Sequence, residues 1–213
     1  MQDTRYEIRN TRYAFTLAEL LIALAVTSII LAAVATLAYA VSSANDSADD
    51  TSQKQAQVRY ATLRISELIR HCKLICMAND NDLALWRADD NDNGRINPTE
   101  LVFIESGQDR DYLRLLEFPS APGWNVPLSS IRNGTAKQVL ISAYSQKQTV
   151  LVPECSNVQF YPTDVTPQSS SVSISFDLTE NGIDHQYQIN AALRGWAGNL
   201  LNDSGTALVS DDD

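Results

Sequence analysis

The sequence predicts an α+β protein in which one long N-terminal helix is followed by a set of antiparallel strands. Two observations carry this prediction. Apolar residues continue from Phe15 to Val41 and then recur at helical spacing, and most of the later chain alternates apolar with polar residues. With 213 residues, the chain has room for one folded domain behind the helix.

The apolar run from Phe15 to Val41 contains one charged side chain, Glu19. About 20 apolar residues suffice to cross a bilayer as a helix, so this run is predicted to span a membrane. Because a charge at mid-bilayer costs about 2.5 to 3.5 kcal/mol on insertion scales, Glu19 is expected to have a partner. A cut between Ala14 and Phe15 would place a cationic α-amino group one helical turn away, where the helix dipole also favours a negative side chain.

The charges on the two sides of the span are opposite. Three arginines precede it and three aspartates follow it: Arg5, Arg9, Arg12, Asp46, Asp49 and Asp50. The positive-inside rule therefore predicts a single-pass protein with a cytoplasmic N-terminus and an exported C-terminal domain. The net charge of -10 leaves no continuous basic stripe, which excludes nucleic-acid binding by electrostatics and favours divalent cations as partners.

These patterns divide the chain into a basic leader (residues 1–14), a transmembrane half-helix (15–41), an exported domain (42–199) and a mobile acidic tail (200–213). Residues 42–52 are rich in Ser, Asn and Asp, which favours a bend or loosening of the helix there. The helix is then predicted to resume, with apolar positions three to four residues apart: Val58, Ala61, Ile65, Leu68 and Cys72.

Strands are expected to follow the helix. The predicted segments are Leu83–Ala88, Leu101–Ser106, Tyr112–Phe118, an alternating run at Val139, Ile141 and Ala143 paired as a hairpin with Val150 and Val152, and a strand at Val158 and Phe160. Residues 119–135, with three prolines and two glycines, are expected to form a long surface loop. The clearest signal is the hairpin at Asn181-Gly182, which lies between two runs of alternating apolar residues.

The N-terminal residues resemble a known signal. A basic leader, a small residue and then F-T-L-A-E-L-L-I-A-L are similar to the class III signal of type IV pilins, minor pilins and type II secretion pseudopilins. The resemblance implies cleavage by prepilin peptidase between Ala14 and Phe15, and N-methylation of Phe15. It also implies an assembly role for Glu19, which would pair with the N-terminus of a neighbouring subunit. One departure is Ala14, since Gly usually precedes the cut; slower or equal processing is expected.

The resemblance also implies a fold and a function. A pilin-like protein packs the second half of its helix on an antiparallel β-sheet, sits in the inner membrane and then enters a filament with other pilin or pseudopilin subunits. We therefore expect a non-enzymatic minor pilin or pseudopilin. The alternative is a membrane-anchored exported binding module that depends on calcium. The sequence contains no P-loop, G-x-S-x-G, H-E-x-x-H or dinucleotide fingerprint.

The calcium hypothesis comes from one twelve-residue segment, residues 89–100. It has Gly94 at the sixth position and fits the calcium loop of EF-hands. The segments on either side of it are predicted strands, whereas those of an EF-hand are helices. The predicted ligands are the side chains of Asp89, Asn91, Asn93, Asn97 (or a water) and Glu100, with the carbonyl of Arg95. The other interpretation is a metal-free polar turn.

Three cysteines, Cys72, Cys76 and Cys155, would face an oxidising compartment. They allow one disulfide in three ways, or none, and the sequence does not choose among these.

Overall fold

The computed structural model describes residues 16–107, 109–195, 197–202, 204–205 and 207–209. The predicted cleavage and methylation residues, Ala14 and Phe15, lie outside them. The chain falls into two units that divide between Asp49 and Asp50.

In the first unit, helix α1 begins at Leu17; its full extent is Leu17–His71. Every side chain from Leu17 to Asp49 is exposed. The expected loosening at residues 42–52 is wrong, because these residues are helical in α1 although Ser, Asn and Asp are unfavourable in a helix interior. The expected bend stays a prediction.

The second unit begins with the remainder of α1, whose apolar face packs on the strands. Ala61, Ile65 and Leu68 are buried, as their spacing predicted, and Ile69 extends the same face. These residues share one hydrophobic cluster with inward-facing residues of β-strands that follow. The predicted fold class, a long helix packed on antiparallel sheet, is therefore confirmed.

The strands form two antiparallel sheets instead of one. The five-stranded sheet contains β1 (Leu74–Ala78), β2 (Asp82–Trp86), β3 (Leu101–Ser106), β4 (Leu113–Glu117) and β5 (Lys147–Val152), in that order. The three-stranded sheet contains β6 (Ser156–Pro162), β7 (Ser171–Glu180) and β8 (Ile183–Ala192). Short 3-10 turns lie at Pro98–Glu100 and Ala197–Leu200.

The five-stranded sheet is covered on both faces, which explains the unbroken apolar runs in β2 and β3. Leu83 and Leu85 face the cluster that contains α1, whereas Ala84 and Trp86 face a second cluster. That second cluster is completed by α2 (Leu128–Arg132) and α3 (Thr135–Ala143).

Helix α3 overturns one strand prediction. Val139, Ile141 and Ala143 alternate in sequence, but residues 135–143 are helical, and Ala136 and Leu140 form the buried face at a spacing of four. Lys137 adds ion pairs to Asp82, at 2.5 Å, and to Glu105. The predicted hairpin therefore does not exist, and β5 pairs with β4 instead. Helix α2 likewise replaces part of the long loop expected at residues 119–135.

The β7–β8 hairpin is confirmed, with the turn at Asn181 and Gly182, both at positive φ. Its tip contacts α1: the Asn181 N–H donates to Asp50 Oδ2 at 3.0 Å, and Asn181 Nδ2 donates to Thr51 Oγ1 at 3.0 Å. The five-residue strand β1 was not predicted, because it follows the helix without a polar break.

Part of the acidic tail packs on the domain. Leu201 is buried in the second cluster and forms a β-bridge with Leu208.

All three cysteines are free thiols. Cys72 and Cys76 lie in different clusters, and burial raises the pKa of Cys72 to about 12.

Candidate functional site

The N-terminus of α1 is closed by a reciprocal pair of contacts between Thr16 and Glu19. Glu19 Oε2 accepts hydrogen bonds from Thr16 N, at 2.9 Å, and from Thr16 Oγ1, at 3.0 Å. The Glu19 N–H in turn donates to Thr16 Oγ1 at 3.3 Å. This is a capping box, which satisfies two backbone donors that the helix itself leaves free. Among the described residues, both of these bonds go to Oε2 of Glu19 and none goes to Oε1.

The helix that follows is long and apolar enough, by length and composition, to cross a membrane. Three of its hydroxyl groups donate to carbonyl groups of the same helix. Thr27 Oγ1 donates to the Ala23 carbonyl at 2.8 Å, Ser28 Oγ to that of Ala25 at 2.7 Å, and Thr36 Oγ1 to that of Ala32 at 2.5 Å. Within residues 17–41 of this helix, Glu19 is the one side chain with a formal charge.

Comparison with known families gives a match for this segment. Residues 9–35 match the family model described as the prokaryotic N-terminal methylation motif. The chain carries a prepilin-type signal. Searches among curated proteins and among solved structures gave no match.

A prepilin-type signal implies processing by prepilin peptidase and assembly with other pilins. The signal and the apolar half of α1 are together consistent with single-pass anchoring in the inner membrane. The signal and its Glu19 were recognised from the sequence, but the capping role of Glu19 was not. The pattern Thr16-x-x-Glu19 contained that information.

The second candidate site is the acidic loop, residues 89–100, between β2 and β3. Two of its predicted ligands, Asp89 and Asn91, converge on a single backbone nitrogen. The N–H of Asn93 is 3.1 Å from Asp89 Oδ1 and 3.2 Å from Asn91 Oδ1. Asn93 Oδ1 accepts from the Arg95 N–H at 2.8 Å, and Gly94 has a φ of 65°, a conformation that glycine adopts without strain.

The last predicted ligand, Glu100, is 1% exposed and turned into the protein. It accepts hydrogen bonds from Trp86 Nε1 (3.1 Å), the Asp90 N–H (3.0 Å), the Asn97 N–H (3.1 Å) and Asn97 Nδ2 (3.2 Å). These bonds tie both ends of the loop to β2. Sequence reasoning assigned Glu100 to a metal and missed this structural role, because Trp86 is 14 residues away.

The first predicted ligand, Asp89, has a side chain only 4% exposed. Burial by itself would raise the pKa of Asp89. Hydrogen bonds from the Gly94 and Asn93 N–H groups, together with the Lys73 ammonium group 3.2 Å away, hold that pKa below its usual value instead. Asp89 is therefore ionised at neutral pH. Lys73 already supplies a positive charge beside the Asp89 carboxylate, so a bound cation would compete with Lys73.

Among the residues that the structure describes, no group of three or more His, Cys, Asp or Glu side chains converges as a metal site. A metal in the acidic loop would therefore depend on amide and carbonyl oxygens. The nearby Asn79 closes the β1–β2 turn, since its Oδ1 accepts from the Asn81 N–H at 2.9 Å and the Asp82 N–H at 2.7 Å. That side chain has a complete local role without a cation.

Proposed function

We propose that this protein is a minor pilin or pseudopilin, a non-enzymatic subunit that prepilin peptidase processes and that then enters a type IV pilus-like or type II secretion filament. One observation carries the proposal: the prepilin-type signal at residues 9–35 contains a single carboxylate, Glu19, in the first turn of a helix whose side chains are all exposed from Leu17 to Asp49. A membrane covers such a helix before assembly, and neighbouring helices cover it in a filament.

Mass spectrometry of the mature N-terminus tests the processing step. We expect the protein isolated from its own cells to begin with N-methylated Phe15, because cleavage creates the amine that can neutralise Glu19. Cells without active prepilin peptidase should retain residues 1–14. As a matched variant, Ala14→Gly should be processed at an equal or higher rate. An unprocessed leader in cells with active peptidase would contradict the proposal.

We further propose that the acidic loop binds calcium weakly and joins the ends of β2 and β3. The convergence of Asp89 Oδ1 and Asn91 Oδ1 on one nitrogen supports this, since it brings two predicted ligands together. Low affinity is expected for two reasons. Two of the first three ligands are amides, and Glu100 must leave its present donors to bind a cation.

Thermal unfolding of the detergent-solubilised protein tests this loop. A bound ion stabilises the fold by about 2.7 kcal/mol when calcium is at a hundredfold excess over Kd, so calcium should raise the Tm relative to chelator. Glu100→Gln should remove that calcium-dependent difference. Asp90→Asn should keep it, because Asp90 is a surface residue paired with Arg87 and is not a predicted ligand. Equal Tm values in chelator and in millimolar calcium would show that the loop is a metal-free turn.

A further inference from the structure

Strand β8 lies at the edge of its sheet, and its outer side is unpaired. Because the turn at residues 181–182 is only two residues long, Glu180 and Ile183 exchange hydrogen bonds, and every second residue after Ile183 also bonds β7. The N–H of Leu193, which donates to the Ser170 carbonyl at 2.8 Å, follows the same alternation. The residues in between turn their backbone groups away from β7, and these groups form no hydrogen bond with a described residue: Asp184, Gln186, Gln188, Asn190 and Ala192.

This edge lacks the features that prevent sheet edges from pairing with another chain. Lysine, proline and β-bulges serve that purpose in natural sheets. The other edge strands of the two described sheets carry them. The register of β1, β5 and β6 with their neighbours is interrupted, and β5 and β6 also contain Lys147 and Pro162. In contrast, β8 pairs with β7 in unbroken register and contains no lysine, arginine or proline, so it can accept a further strand.

A cleft of about 550 Å³ lies between the end of α1 and the end of β8. Its walls include Arg70 and His71 of α1 and Arg194, which follows β8, and no aspartate or glutamate lines it. Arg70 and Arg194 are exposed, and neither forms an ion pair with a described residue. Glu67, one turn earlier in α1, is 3.7 Å from Arg64 Nη1 and is not part of the wall. The cleft is therefore positively charged in a chain of net charge -10.

The carbonyl groups at the end of α1 would repel an anion, but three of them already accept hydrogen bonds. The Leu68 carbonyl accepts from the Cys72 N–H at 2.9 Å, and the Ile69 carbonyl accepts from Cys72 Sγ at 3.2 Å. The Arg70 carbonyl accepts from the Arg194 N–H at 3.1 Å. This last bond also ties the chain after β8 to the helix, so both arginines stay beside the same cleft.

We propose that the outer edge of β8 and the cleft at its end bind an extended acidic segment of another protein as an additional strand. We name this surface, formed by the outward backbone groups of Gln188 and Asn190 and the side chains of Arg70 and Arg194, the β8 edge site. Backbone pairing holds the segment, and the arginines select carboxylates because a guanidinium group can donate two parallel bonds to one carboxylate. The inference goes beyond the proposed function and does not depend on processing or filament entry.

Fluorescence anisotropy with a labelled peptide tests the β8 edge site in the detergent-solubilised full chain. The probe is the hexapeptide Thr-Val-Asp-Val-Asp-Val. One control peptide has Asn in place of both Asp residues, and the other is N-methylated at every backbone nitrogen. The acidic peptide should bind at least about tenfold more tightly than either control, because the first lacks the carboxylates and the second lacks the backbone donors.

Each peptide result decides one part of the proposal. Equal binding of the N-methylated peptide would overturn strand addition, and equal binding of the Asn peptide would overturn the selection of an acidic segment. Absence of saturable binding of the acidic peptide up to about 1 mM would overturn the site as a whole.

Variants of the protein locate the bound peptide. Arg70→Glu and Arg194→Glu should each weaken binding of the acidic peptide about tenfold, because each places like charges together. The matched control is Arg132→Glu, which reverses an exposed arginine of α2 outside the cleft and should leave binding unchanged. Gln188→Pro removes one outward N–H and should weaken binding of the acidic peptide about tenfold. Proline is tolerated on an edge strand where the N–H faces solvent, and the Tm of each variant checks its fold.

Hydrogen exchange followed by NMR gives a measurement that needs no substitution. In the free protein, the N–H groups of Gln188 and Asn190 should exchange quickly and those of Tyr187 and Ile189 slowly, since only the latter two bond β7. The acidic peptide should slow exchange at Gln188 and Asn190. Unchanged exchange at these two residues with saturating peptide would overturn the proposal, because the peptide would then bind elsewhere.

Two other occupants are distinguished in the same samples. A dimer of the unaltered chain that Gln188→Pro separates into monomers would assign the edge to a second copy and overturn the proposal. Residues 211–213, three aspartates outside the described residues, are the other candidate. If their replacement by Asn raises the affinity for the acidic peptide, this chain's own segment occupies the site and the assignment to another protein is wrong.

Discussion

Replacing Glu100 by alanine is expected to lower the free energy of unfolding of the exported domain by about 3 to 5 kcal/mol. The carboxylate is buried and accepts hydrogen bonds from Trp86 Nε1 and from the Asp90 and Asn97 N–H groups. Alanine leaves these donors without an acceptor, and each unsatisfied buried donor costs about 1 to 3 kcal/mol. Urea unfolding in chelator, followed by tryptophan fluorescence, measures the loss.

Two variants make the Glu100 result specific. Glu100→Gln keeps an acceptor oxygen but introduces an NH2 group that faces other donors, so an intermediate loss is expected. Glu154→Ala removes an exposed carboxylate and should change stability by no more than about 0.5 kcal/mol. A loss below about 1 kcal/mol for Glu100→Ala would show that the loop does not depend on this side chain.

Replacing Glu19 by alanine is expected to abolish entry into the filament while leaving the exported domain folded. The reason is the loss of a charge pair in an apolar surrounding, where no water replaces the missing partner. Membrane insertion should not weaken, because removing a charge from the span makes insertion more favourable. Filament content, membrane content and the mature N-terminus are measured together.

The capping box provides the control for Glu19. Thr16→Ala removes the hydroxyl that bonds Glu19 but keeps the carboxylate, so it tests the capping role alone. Loss of such a cap costs about 1 kcal/mol of helix stability, and we expect filament entry to decrease only slightly. If Thr16→Ala and Glu19→Ala reduce assembly equally, Glu19 acts as a helix cap and not as an intersubunit partner.

Several features of this protein follow from local sequence. The signal was recognised by its resemblance to the class III signal, and the apolar run predicted a helix long enough to span a membrane. The β7–β8 hairpin followed from alternation around Asn181-Gly182, because an Asn-Gly pair adopts the positive φ values that a tight hairpin requires. The buried face of α1 followed from residues such as Ala61 and Ile65, since helical periodicity fixes which side chains share a face.

Other features were decided by tertiary contacts. Residues 135–143 alternate like a strand, yet Ala136 and Leu140 pack on the five-stranded sheet as one face of α3. A short apolar segment fits either structure, and only its neighbours choose between them. In the acidic loop too, the local sequence determined some features and tertiary contacts determined others. Its spacing identified Asp89 and Glu100 as important residues, but the acceptor role of Glu100 depends on Trp86 in β2, a partner that the folded sheet brings within hydrogen-bond distance.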